Sequence, residues 1–191
     1  MLLDGSKLNE RSSYESDICI LGGGVAGIVL ARELLGKFKK IILLESGGEN
    51  YTQEAQELYA PSTKNKSYYP DPTYSRLRFL GGSSNHWENN TSPLDPMDFE
   101  NRSWIPNSGW PISFNDLESF YPKAEVYCGV KGNGYDTDEW VNKLAYTDLV
   151  KGSKVLETGI AKAAVPSTRF YAAHGQPLVE NSSIQVITFA N

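Results

Sequence analysis

Apolar positions near the start of the chain fall into two short runs with a helical pattern between them. Ile18-Cys-Ile-Leu21 passes into glycines, then Val25-Ala-Gly-Ile-Val-Leu-Ala-Arg-Glu-Leu-Leu35 follows, and Ile41-Ile-Leu-Leu44 ends at Glu45. Uninterrupted apolar runs of this length suit parallel strands covered on both faces. The pattern therefore predicts a strand, a helix opening near Val25 and a second strand closing at Glu45. Residues 1–16 are polar and read as a lead-in that covers the sheet edge. Residues 53–59 predict a short helix stopped by Pro61, and the proline- and tyrosine-rich stretch 61–75 predicts an irregular excursion.

Further along, Ser113 and Asp116 have the spacing of a capping box. Leu117, Phe120, Tyr121, Ala124 and Tyr127 then recur at helical spacing and read as one core-facing stripe, which Pro122 should end or kink. Cys128-Gly129 marks a helix end, 136–146 a further short helix, and 161–165 suits strand or helix alike before Pro166. Residues 183–189 alternate and are β-branched, which predicts a strand.

Length and composition narrow the class. The chain has 191 residues, 40% of them hydrophobic and 21% charged, values of one ordinary globular domain. A net charge of −5 without basic clusters argues against a nucleic-acid surface or a polybasic membrane patch. No apolar run approaches the ~20 residues of a membrane span, and no secretory signal is visible, so no membrane segment and a cytoplasmic location are expected. Two cysteines are too few for a disulfide framework and lack metal-ligand spacing, so no metal is expected. Cys19, inside the first strand, reads as a small core residue.

The chemistry lies where the first strand ends. Gly22-x-Gly24-x-x-Gly27 falls between strand and helix, where glycines make a tight turn, let backbone approach a pyrophosphate and let helix pack on strand. The helix start directs unpaired N–H groups and a positive dipole end at phosphate. Glu45 stands about 20 residues beyond the middle glycine, the place of the acid that holds ribose hydroxyls. This pattern indicates NAD or FAD and does not choose between them.

A second glycine-rich stretch reads Arg76-Leu-Arg78-Phe-Leu-Gly81-Gly82-Ser83-Ser84-Asn85-His86-Trp87. Its glycines admit an anion to backbone N–H groups, its serines add short donors, and Trp87 suits packing on a planar ring. Alone, the stretch is equally a hairpin turn with a buried tryptophan.

Together with Leu44-Glu45-Ser46-Gly47-Gly48, Pro93-Leu-Asp95-Pro-Met-Asp98-Phe99 and Ser108-Gly-Trp110-Pro111-Ile112, these motifs resemble the glucose–methanol–choline (GMC) oxidoreductases over roughly residues 1–130. The branch most similar is that of pyranose oxidases and gluconate dehydrogenase flavoproteins. The resemblance implies an α/β fold with a Rossmann-like FAD-binding domain, here without the C-terminal part of the family fold. It implies FAD as cofactor, held by Gly22, Gly24, Gly27, Glu45, Arg78, Gly81, Gly82, Ser83, Ser84, Asn85, His86 and Trp87. In pyranose oxidases the histidine at the position of His86 is joined covalently to the flavin. Other members hold FAD without a bond, and that arrangement is the one expected. Glu88 departs from the small residue that relatives usually place after the tryptophan.

The expected organisation is an FAD-binding part over 1–130, the start of a substrate domain or a connector over 131–181, and a strand over 182–191 returning to the FAD domain. The family's catalytic histidine and its partner are expected beyond Asn191, and His174 does not match that motif. The implied function is that of an N-terminal fragment of an FAD enzyme moving hydride from an alcohol CH–OH group, of a sugar or polyol, to flavin. Its partners would be a small alcohol and an unidentified electron acceptor, with no nucleic acid. A fragment of an NAD-dependent dehydrogenase and a non-catalytic nucleotide-binding or assembly module are the alternatives.

Overall fold

A computed structural model describes residues 1–9, 11–60, 70–131 and 134–191. In chain order they form β1 (Leu2–Asp4), β2 (Ile18–Leu21), α1 (Val25–Leu34), β3 (Ile41–Leu44), α2 (Gln53–Glu57), α3 (Pro72–Ser75) and β4 (Asn90–Thr91). There follow α4 (Phe114–Glu118), α5 (Tyr121–Cys128), α6 (Thr137–Leu144), β5 (Lys162–Ala163), α7 (Gln176–Val179) and β6 (Ile184–Thr188). Residues 61–69 of the expected excursion lie outside the described residues. Two units result: Met1–Trp87 with Thr168–Asn191, and Glu88–Ser167.

The first unit is built on a parallel sheet in the order β1-β6-β3-β2. Ile20, Leu43 and Val186 are in register across three strands and buried. Over this face lies α1, whose Ile28 and Ala31 have no exposed surface. The polar lead-in does more than cover an edge: Leu2–Asp4 adds a strand, pairing with Val186, Ile187 and Thr188. The strand expected over 183–189 is β6, which sits between β1 and β3.

One expectation fails on β2. Cys19 is exposed rather than a core residue, and Leu21 beside it is 79% exposed. Among the described residues β2 is the last strand of the sheet. Side chains alternate between faces, so at this edge only the face bearing Ile20 is covered.

The described residues of 88–167 pack with one another. In this second unit β4 and β5 pair antiparallel. Asp116 accepts from the backbone N–H of Ser113 at 2.8 Å, as the capping box predicts. The apolar stripe is divided, however: α4 ends at Glu118, and α5 restarts with Pro122 in its first turn. There the missing N–H costs nothing. Phe120 and Ala124 are exposed and α5 buries no residue, so the stripe is not core. Lys162 is a buried charge of this unit; its ammonium meets Glu125 at 2.8 Å and lies over the Tyr135 ring. Among the described residues no helix is long and apolar enough to cross a membrane, and no cluster of His, Cys, Asp and Glu is arranged to hold a metal.

Candidate dinucleotide site

At the C-terminal end of β2 the chain turns through Gly22, whose φ of +99° suits glycine, and enters α1 with Gly24 as a cap that offers no side chain. The parallel ladder continues to Gly22, whose N–H donates to Leu44 O at 2.7 Å. Gly27 is required by packing: a Cβ there would lie 1.9 Å from Gly22 O. The helix thus presses directly on the glycine turn, with its first-turn N–H groups at the loop.

Glu45 lies beneath this turn, 6% exposed. Its Oε2 accepts from Gly23 N–H and its Oε1 from Gly47 N–H, both at 2.8 Å. The carboxylate therefore ties the glycine loop to the turn after β3. Ser46 Oγ adds a longer bond to Oε1 at 3.5 Å; a carboxylate has about four acceptor positions, so some acceptor capacity is left. Gly23, which the sequence pattern passes over, contributes both a donor and a close approach: a Cβ there would meet Leu80 Cδ2 at 2.6 Å.

The second glycine loop is brought to the same place. Gln56 on α2 is buried and donates to the carbonyls of Thr73 and Arg76 while accepting from Arg78 N–H at 3.0 Å. Arg78 then passes so close to Gly47 that a Cβ on Gly47 would sit 1.9 Å from Arg78 O, and Leu80 N–H donates to Gly48 O. Gly81 follows, with its N–H donating to Gly23 O at 2.8 Å. A Cβ on Gly82 would lie 3.5 Å from Gly24 Cα. The expected alternative of a hairpin does not occur; the loop turns through a 3-10 segment, Gly82–Asn85.

Within that loop the expected site residues divide. Ser83 and His86 are exposed. Ser84 is 2% exposed, and its hydroxyl donates to Gly81 O at 2.7 Å and accepts from Phe170 N–H at 3.2 Å. Asn85 donates to the carbonyls of Leu80 and Gly82. Trp87 gives its indole N–H to Thr168 O at 2.8 Å and sets its ring edge-on to Phe170, 5.5 Å between centroids. Ser84, Asn85 and Trp87 thus shape the loop from inside. Arg78 lies over the Tyr59 ring and donates to Asn191 Oδ1, while its Nε is buried without a partner.

Several residues that no local signal marks complete the arrangement. Tyr171 donates to Glu49 Oε1 at 2.6 Å, and burial followed by that carboxylate pushes its phenol above the ordinary value. Gln56 lies 22 positions from Arg78, and Phe170 lies 86 from Ser84, beyond any periodic pattern.

The residues present fit a dinucleotide. Two side-chain-free turns stand against each other, a helix N-terminus without a side-chain cap opens at one of them, and a carboxylate with spare acceptor capacity lies below.

No protein-family model matches the chain. The fructose dehydrogenase large subunit of Gluconobacter japonicus is 25% identical over 155 residues, covering 64% of this chain and 28% of that protein. A fungal aryl-alcohol oxidase of known structure matches with a TM-score of 0.53 at 14% identity, over 93% of this chain and 39% of that one, a likeness of fold. The chain thus spans well under half the length of either relative. Both likenesses are in keeping with the GMC resemblance seen in the sequence, and the chain has an α/β architecture built on a parallel sheet.

Proposed function

We propose that this chain forms the dinucleotide-holding part of an FAD-dependent oxidoreductase whose donor is an alcohol carbon, with sugars or polyols as the substrate class. The observation that carries the reading is the meeting of the two glycine loops, Gly81 N–H on Gly23 O at 2.8 Å with Gly82 over Gly24. Side-chain-free backbone on both loops suits a pyrophosphate and the ring system attached to it.

In this reading Gly22, Gly24, Gly27 and the first turn of α1 receive the pyrophosphate. Glu45 takes ribose hydroxyls on the lone pairs that its backbone bonds leave. Gly81, Gly82, Ser83 and His86 face the flavin. Ser84, Asn85 and Trp87 hold that loop in shape, and Arg78 anchors its approach. FAD, when bound, supplies the acceptor for a hydride equivalent from the alcohol carbon. His86 serves as a packing or hydrogen-bonding neighbour without a covalent bond. No catalytic acid or base is assigned among the described residues. The names of the two relatives, a fructose dehydrogenase and an aryl-alcohol oxidase, both denote oxidation of alcohols and support the donor class.

The test is spectroscopic. The purified protein, titrated with FAD, should acquire a bound-flavin absorption spectrum, and acid precipitation should release the flavin into the supernatant. Yellow colour retained by the precipitate would replace the non-covalent assignment of His86 with a covalent one. Binding of NAD with no binding of FAD would overturn the flavin reading itself.

A further inference from the structure

Thr168, Arg169 and Phe170 meet the second glycine loop from a distant part of the chain, within the same unit. Arg169 Nη1 donates to Ser84 O at 3.1 Å and to Trp87 O at 2.7 Å. These carbonyls lie at the C-terminal end of the Gly82–Asn85 turn and just beyond it, where backbone acceptors are left over and a cation is favoured. One guanidinium nitrogen therefore clamps both ends of the segment that contains His86.

The clamp is itself held rigid. Phe170 is fully buried, its N–H is bonded to Ser84 Oγ, and its ring lies between Trp87 and His174. On its other side Tyr171 reaches Glu49, and the π-helical turn Tyr171–Gly175 packs Gly175 toward Ile28 of α1. The segment thus touches the helix that follows the first glycine loop, the turn after β3 and the second glycine loop.

We infer that Arg169 is a positioning residue for the dinucleotide site, acting on the flavin-facing residues through the carbonyls of Ser84 and Trp87. This rests on the reading of the second loop as the flavin-facing wall. Arg169 exerts its role through these two carbonyls. It fixes where the loop's N–H groups and His86 stand before a ligand arrives, so that less ordering is required on binding.

The experiment compares the full chain with Arg169→Met and Arg169→Lys by amide hydrogen exchange without ligand, followed by titration with FAD. The amides of Gly82, Ser84 and His86 are bonded within the loop and report its opening. In Arg169→Met their exchange should accelerate about tenfold, the loss expected for a charge-assisted hydrogen bond. The amides of β3 and β6 should not change. FAD affinity should fall by about tenfold, and Arg169→Lys should recover part of both effects. Unchanged loop exchange in Arg169→Met overturns the inference. If Arg169→Met unfolds, Arg169→Lys decides: acceleration confined to the loop supports the role, and none refutes it. Failure of the unmodified protein to bind FAD would strike the proposed cofactor while leaving the exchange result to judge Arg169.

Discussion

Replacing Gly27 by alanine sets two effects of opposite sign against each other. In the first turn of α1 the change should stabilise by up to about 1 kcal/mol, because glycine gives up more backbone freedom on folding. The structure opposes it with a Cβ placed 1.9 Å from Gly22 O and 3.1 Å from Gly22 C, where ordinary contact begins near 3.4 Å. Relief requires α1 to move outward by about 1.5 Å, or the glycine turn to reshape, because the obstacle is backbone and cannot swing aside. Overpacking costs about 1–3 kcal/mol, and a rigid obstacle puts this site at the upper end. The net effect is a loss of about 2 kcal/mol, or a Tm lower by about 4–8 °C for a chain of this size. Gly24→Ala is the control. Gly24 has φ −79° and ψ −169°, open to any residue, and its added Cβ would meet nothing within 4 Å. It should cost no more than about 1 kcal/mol, as alanine caps helices less well than glycine. On the proposed function it places a methyl group in the path of the pyrophosphate, and FAD affinity should drop more than about tenfold. Thermal and urea unfolding separate the two variants. A Gly27→Ala protein as stable as the original, or a Gly24→Ala protein as damaged as Gly27→Ala, would refute the packing argument.

Two further outcomes follow from titratable groups. The Tyr171 phenol is raised from its ordinary value of 10.0, so its contribution to stability is fully present below that pH and is lost as pH rises, when only the unfolded phenol ionises. Urea unfolding from about pH 8 to pH 11 should show a decline that is shallower in Tyr171→Phe; parallel curves would contradict the assignment. Cys19 is exposed on the open side of β2, whereas Cys128 is half-buried, with its thiol pushed up first by burial and then by Glu125. A disulfide reagent should titrate one thiol rapidly in the folded protein, and Cys19→Ser should abolish that phase.

Local physics was readable directly from the residues. The 3.6-residue period, the short apolar runs and the glycine spacing act over some thirty positions. They determined β2, α1, β3 and the Gly22–Gly24–Gly27 turn, and alternation determined β6. The Ser113–Asp116 cap and the break at Pro122 are equally local, since each rests on hydrogen bonds within one helical turn. Strand order is different, because nothing in a four-residue apolar run says which neighbours it will have. The parallel crossovers left β2 at the end of the described sheet, and that exposed Cys19 and Leu21, which composition alone places inside. They also drew Leu2–Asp4 onto β6, some 180 residues away in sequence. Buried hydrogen bonds are likewise a tertiary matter: a serine in a loop offers the same hydroxyl to a ligand or to a distant backbone. Only the packing of Phe170 gave the Ser84 hydroxyl to the protein's own backbone, and only the fold brought Arg169 to the loop's carbonyls. The sequence thus determined that a glycine turn would form between β2 and α1. The tertiary structure decided which of the residues near it can face a ligand and which are consumed in holding the site, because long-range contacts depend on the order of elements in the sheet.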